Sequence, residues 1–131
     1  MASTSRPQLI FGTALFGDAF NDTESVQSVL DLIKSYGITR LDTAGRYPPT
    51  NLGRSEELLG EANAAEQGLT IDTKVLVLEP DGRGHMSREK VENSVSTSLR
   101  RMGINRVRFN PTGHSTCNYF IIGALHYIHV F

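Results

Sequence analysis

Apolar positions along the chain change period several times, and each change marks an element. Gln8 to Ala14 (QLIFGTA) is a short apolar run closed by small residues, which predicts a buried strand running into a loop. In the NDTESVQSVLDLIKSYG that follows, Val26, Val29, Leu30 and Ile33 fall at i, i+3, i+4 and i+7, one face of a helix. Asn21, Asp22 or Thr23 can cap its start, and Gly37 supplies a left-handed stop. Ile38 to Ala44 (ITRLDTA) returns to a strand pattern. Beyond a proline-rich loop, a shorter helix is predicted around Glu56 to Ala65, with Leu58, Leu59 and Ala62 inward and Gly68 ending the unit. Leu69 to Leu78 (LTIDTKVLVL) is the clearest strand, β-branched and apolar. EPDGRG is turn chemistry, and Ser87 caps a helix with Val91, Val95, Leu99 and Met102 on one face, stopped by Gly103. Asn105 to Val107 begins what ought to be a fourth strand.

Strand and helix alternate at about 30 residues per unit, which means parallel strands joined by right-handed crossovers. Two α/β architectures fit: an open doubly wound sheet and a (β/α)8 barrel. The first strand-to-helix turn, FGTALFGDAF, lacks the G-x-G-x-x-G that holds a pyrophosphate in the open-sheet design. Polar residues gathered at the C-terminal ends of several strands favour the barrel, whose active sites lie there.

Composition narrows the class. The 131 residues suit one domain, and a net charge of −1 gives no bulk attraction to nucleic acid or anionic membrane. The single cysteine, Cys117, excludes an internal disulfide and fits a reducing compartment. MASTSRPQLIF has no secretory apolar core, and YFIIGALHYIHVF is shorter than the roughly 20 residues of a spanning helix. A cytoplasmic protein is the expectation.

Three residues stand out against this frame. Asp42 ends the second strand, Tyr47 lies in the loop beyond it, and Lys74 falls within the third strand. Neighbouring strands sit about 4.8 Å apart, so the three groups can converge at one rim. An ammonium beside a phenol favours the phenolate, and a carboxylate beside the amine keeps it charged. Such a phenol can protonate a carbonyl oxygen as hydride reaches its carbon. Taken singly, Asp42 also reads as a loop cap and Tyr47 as a packing residue before Pro48. Lys74 is harder to dismiss, because a lysine inside IDTKVLV must find a partner or reach water.

LDTAGRY, then GRSEELLG, then TKV resemble in order the signature blocks of the aldo-keto reductases. The closeness of RLDTA, the YPPTN loop and GRSEELLG points to the branch similar to aflatoxin aldehyde reductases. The resemblance runs from about Leu9 to Val107. It implies an NADPH-dependent (β/α)8 TIM barrel that reduces aldehydes and ketones, acts on a small carbonyl compound, and needs no nucleic acid, membrane or metal. A full-length member could form a homo-oligomer. By the same resemblance Tyr47 matches the proton donor, Lys74 the lysine that tunes it, and Asp42 the aspartate that pairs with the lysine and borders the nicotinamide ribose. Gly12, Thr13 and Ala14 match the first-strand turn that abuts the cofactor.

The resemblance stops inside the fourth strand. The family's histidine, in a pattern like D-x-x-Y-L-H-x-P-D, is not matched by INRVRFNPTGHSTCNYF, and His114 is not carried over. Residues 1–107 hold all 14 acidic and 12 of the 13 basic residues, whereas 108–131 hold three of the four histidines and half of the phenylalanines. We therefore expect 1–107 to be the N-terminal part of a barrel and 108–131 to be a non-family tail, irregular or an edge strand. A retained intron, a frameshift or a mispredicted gene model would produce such a tail. With three units and an aberrant fourth strand, the chain is expected to be truncated and to lack the later repeats that hold the cofactor's phosphates in the family. Low solubility or partial folding, and no activity alone, are expected. A non-catalytic truncated isoform or binding fragment is the alternative, and an open α/β domain is a third reading. DGRG with His85 reads as a polar turn, and His114, Cys117, His126 and His129 as no metal site, since no acid backs them.

Overall fold

A computed structural model of the chain describes residues 8–76 and 87–105, and within them strand and helix alternate. The elements are β1 (Phe11–Gly12), α1 (Thr23–Ser35), β2 (Arg40–Asp42), α2 (Arg54–Glu61), β3 (Thr70–Asp72) and α3 (Arg88–Met102). The strands form one parallel sheet in the order β1-β2-β3. In register, Phe11, Leu41 and Ile71 lie side by side, and so do Gly12, Asp42 and Asp72. Because side chains alternate along a strand, one face of the sheet carries Leu41 and Ile71 into the helix-covered core. The other face carries Arg40, Asp42 and Asp72.

The strands are shorter than the apolar runs predict. Single hydrogen bonds prolong the ladder, from Thr13 N to Asp42 O (2.9 Å), Thr43 N to Asp72 O (2.8 Å) and Thr70 N to Thr39 O (2.8 Å). Lys74 therefore sits two residues past the end of β3, not within it. The expected continuation to Leu78, all but the first residue of the expected fourth strand, and the 108–131 tail lie outside the described residues.

α1 follows its periodicity closely. Asp22 is the cap, its carboxylate accepting from the Ser25 amide at 2.7 Å, and Gly37 at φ +75° ends the unit. Val26, Leu30 and Ile33 are buried against the sheet side, with Val29 packed at their margin. α2 starts and stops earlier than predicted. It begins after Gly53, whose φ of +85° reverses the chain, and gives way to turns that pass through Asn63 at φ +49°. Leu58, Leu59 and Ala62 are buried as predicted. α3 is capped by Ser87 and stopped by Gly103 as predicted, but its inner face differs. Val91 and Met102 are buried, Val95 and Leu99 are half-buried, and Ser98 turns inward in their company.

The first turn of α2 ties the three strand ends together. Ser55 and the threonines following β1 and β2 are fully buried. The Ser55 hydroxyl lies 2.9 Å from that of Thr13 and 3.0 Å from that of Thr43, and donates to the Thr13 carbonyl at 3.0 Å. The Thr13 hydroxyl donates to the Asp42 carbonyl at 3.2 Å. One turn position on, Glu56 accepts from the Thr73 hydroxyl at 2.6 Å, just past β3. This carboxylate is wholly buried and faces Arg101 of α3 at 3.2 Å. Close helix contact needs the two glycines of GRSEELLG. A Cβ on Gly60 would stand 2.2 Å from the Arg101 carbonyl, and one on Gly53 would strike the Arg101 guanidinium.

Glu56 is thus a buried charge whose compensation is spread over two other elements. Replacing it with Ala should cost about 3 kcal/mol in denaturant unfolding, because Arg101 and Thr73 lose their partner while Arg101 keeps some access to water. Glu56→Gln, which can still accept from Thr73, should cost about half of that. At the surface, Glu61 closes α2 onto Arg54 and onto Thr23 at the start of α1. The Arg54 hydrogen bond, helped by that of Thr23, holds the Glu61 carboxyl below its ordinary value. A depressed carboxylate stabilises the fold above its unfolded value and loses that contribution as pH falls through the folded one. Glu61→Gln should therefore flatten the acid side of the stability curve by well under about 1 kcal/mol, as an exposed pair does, and leave neutral-pH helicity intact. Circular dichroism melts between pH 2 and 7 would measure it.

Candidate functional site

The C-terminal ends of the strands form a rim, and the chemistry predicted from sequence gathers there. Asp42 is the last residue of β2 and projects on the face away from the core. Lys74 reaches it across the strand boundary, donating from Nζ to Asp42 Oδ2 at 2.6 Å and to the Thr43 carbonyl at 3.0 Å. Both side chains are about one-third exposed, at 29% for Lys74 and 31% for Asp42, so the pair lies open to a ligand. The predicted need of Lys74 for a partner is met by these two oxygens.

Tyr47 stands in the loop beyond β2, half-buried, with its ring 5.2 Å from the Lys74 ammonium measured to the centroid. That is within the range of a cation–π contact. The loop is fixed by its own backbone: Tyr47 N donates to Ala44 O at 3.0 Å, and Ser55 N to Tyr47 O at 3.1 Å. The Tyr47–Pro48 peptide is cis, and Pro48 is buried beneath it. With described residues the Tyr47 hydroxyl makes no hydrogen bond. Its oxygen is the atom of the three left without a protein partner there.

The first-strand turn divides by the alternation of side chains. Gly12 and Ala14 are exposed at the rim, whereas Thr13 is buried, its hydroxyl committed to Ser55 and to the Asp42 carbonyl. A Cβ built on Gly12 would meet nothing within 4 Å, so a flat ligand has room beside Asp42 there. Thr13 binds the Asp42 carbonyl through both its amide, at 2.9 Å, and its hydroxyl, at 3.2 Å.

Several residues that shape the site are not singled out by the sequence reading. The apolar pattern starts this helix at Glu56 and leaves Ser55 out, yet Ser55 and Glu56 bind the hydroxyls of Thr43, next to Asp42, and Thr73, next to Lys74. Arg40 and Asp72 form a second ion pair on the same face, at 2.5 Å, with 17% and 13% of their side chains exposed. A 30-residue recurrence of threonine at 13, 43 and 73 is the one trace that could have located the layer. Among the described residues no group of three or more His, Cys, Asp or Glu could hold a metal ion, and no helix is long and apolar enough to cross a membrane.

A profile described as the aldo/keto reductase family matches residues 8–108. No curated protein matches the chain significantly. Two solved structures, both described as candidate aldo-keto reductases of Pseudomonas aeruginosa, superpose on it. The first has a TM-score of 0.63 and 30% identity, covering 77% of this chain and 40% of its own. The second has a TM-score of 0.63 and 31% identity, covering 77% and 38%. The chain thus spans about two-fifths of the length of these structures. Its parallel β/α units are a part of the (β/α)8 architecture, which removes the open doubly wound sheet from consideration. With the profile match over residues 8–108 and the superposition of the same units, this chain belongs to the aldo/keto reductase family.

Proposed function

We propose that this chain carries the proton-donating corner of an NADPH-dependent carbonyl reductase, of the branch similar to aflatoxin aldehyde reductases. One observation carries the reading: Lys74 is held on Asp42 at 2.6 Å while its ammonium stands 5.2 Å from the centre of the Tyr47 ring. Asp42 and the Thr43 carbonyl fix the ammonium, and the ammonium in turn stands beside the phenol that gives its proton to the carbonyl oxygen of an aldehyde or ketone. NADPH, when bound, supplies the hydride to the carbonyl carbon. The open space over Gly12, the exposed Ala14 and the partly exposed Asp42 suit a nicotinamide ribose at that rim. Thr13, behind them, supports the turn. The single cysteine supports a cytoplasmic setting for such an enzyme.

A second reading is a binding fragment without turnover. It is favoured by the extent of the match, which reaches only 40% and 38% of the two solved chains. On this reading residues 1–107 supply a catalytic corner and 108–131 stand outside the family pattern. The 131-residue chain then neither holds NADPH tightly nor reduces a carbonyl by itself.

Two experiments test the account. NADPH fluorescence titration of the 131-residue chain, followed by cofactor consumption with an aromatic aldehyde, should show neither saturable binding nor turnover. A chimera carrying residues 8–105 in place of the matching segment of a Pseudomonas aeruginosa relative should reduce the aldehyde. In it, Tyr47→Phe should lower kcat by about 10²- to 10⁴-fold, the usual worth of a positioned proton donor. Gly12→Ala should leave folding unchanged and raise the KM for NADPH. A folded chimera whose kcat ignores Tyr47→Phe would refute the assignment of the proton donor.

A further inference from the structure

Lys74 has two carboxylates to choose from, and the register of the sheet makes the choice delicate. Asp42 and Asp72 are direct partners across β2 and β3, so their Cα atoms stand about 5 Å apart. Both belong to the face of the sheet that bears the rim chemistry. Asp72 precedes Lys74 by two residues. Like charges opposite one another on paired strands repel, and each needs a cation. The structure resolves this by crossing the strands twice. Arg40 of β2 donates from Nε to Asp72 Oδ2 at 2.5 Å, and Lys74 beyond β3 donates to Asp42 Oδ2 at 2.6 Å.

We propose that Arg40 is a positioning residue for the site: by occupying Asp72, it directs the Lys74 ammonium to Asp42. The inference rests on the reading of Asp42, Tyr47 and Lys74 as the proton-donating corner, and it adds a residue that acts only through them. The Arg40–Asp72 pair is the more deeply buried of the two, at 17% and 13% exposure against 29% and 31%. A guanidinium is the better cation for that place, because it is always charged and its planar donors stay matched to a carboxylate away from water. Without Arg40, the half-buried Asp72 carboxylate lacks its cation, and Lys74 is the ammonium two residues away. An ammonium drawn toward Asp72 moves away from Asp42 and off the Thr43 carbonyl.

The test reads the partner of Lys74 without using turnover. The sequence has three lysines, Lys34, Lys74 and Lys90, so the ammonium resonance of Lys74 can be assigned with Lys74→Arg. Through-hydrogen-bond couplings from the lysine ¹⁵Nζ to aspartate carboxyl ¹³C should connect Lys74 to Asp42 in the 131-residue chain. Arg40→Met should weaken that correlation at least twofold and bring in one to Asp72. The double variant Arg40→Met/Asp72→Asn should restore the Asp42 correlation, since the competing charge is gone. A purely structural role for the pair predicts no such rescue. Asp72→Asn alone should leave Lys74 on Asp42, and this arm stands even if Arg40→Met does not fold. An undiminished Asp42 correlation in Arg40→Met, or its loss in Asp72→Asn, would overturn the proposal. Aldehyde reduction measured in parallel on the chimera keeps the two readings apart. An inactive chimera with the couplings as expected would count against the catalytic reading and leave the partner choice standing.

Discussion

Every feature of the rim depends on one layer of hydrogen bonds, in which the first turn of α2 holds the ends of three parallel strands at one level. Ser55 binds the threonines after β1 and β2, and Glu56 binds the threonine after β3. Of the three threonine hydroxyls on the covered face, that of Thr13 reaches a carbonyl of the neighbouring strand, while those of Thr43 and Thr73 are bound from α2. Buried without a partner, each would cost about 1–3 kcal/mol. Two adjacent residues of a helix reach all three, and Thr13 has the Asp42 carbonyl besides. The alternation of side chains then does the rest. With the threonines turned toward α2, Asp42 and Asp72 point the other way, as a slip of one residue would reverse. The chemistry of one face is thus fixed by the hydroxyls of the other.

The same layer explains why a charge is buried where the sequence pattern suggests a solvated turn. Glu56 is held by Thr73 next to Lys74 and by Arg101 from the far end of α3. Gly53 and Gly60 leave the space that lets α3 approach. The GRSEELLG block is therefore a docking surface for a strand end on one side and a helix on the other. It links the packing of the outer helices to the place of the lysine.

Much of this was legible from local pattern. The apolar spacing of Val26, Leu30 and Ile33, a cap among Asn21, Asp22 and Thr23, and the glycine at 37 define α1 with no tertiary help; the structure selects Asp22 as the cap. A lysine in an apolar run demanded a partner, and Asp42 is that partner. The shortfalls share a cause. The apolar runs exceed the strands because such a run reports burial, while the ladder ends where the threonines turn to α2. The apolar pattern starts α2 at Glu56, two residues late, because its first turn is polar and the partners that bury it, Thr43, Thr73 and Arg101, are distant in sequence. Spacing puts Leu99 in the core, yet Ser98 is the more buried, and α3 meets Gly60 through the backbone of Arg101 and Met102. Such facts belong to tertiary contact, and no window of neighbouring residues contains them.

Amide hydrogen exchange at Thr13 and Thr43, compared between the 131-residue chain and Ser55→Ala, tests this account most directly. Both amides close the ladder beyond the strands, and both neighbouring hydroxyls lose their common partner in the variant. The account predicts that protection at the two amides falls together by about tenfold or more, and further than at Leu30 in the middle of α1. Equal loss at all three positions, or no loss at the strand ends, would contradict it.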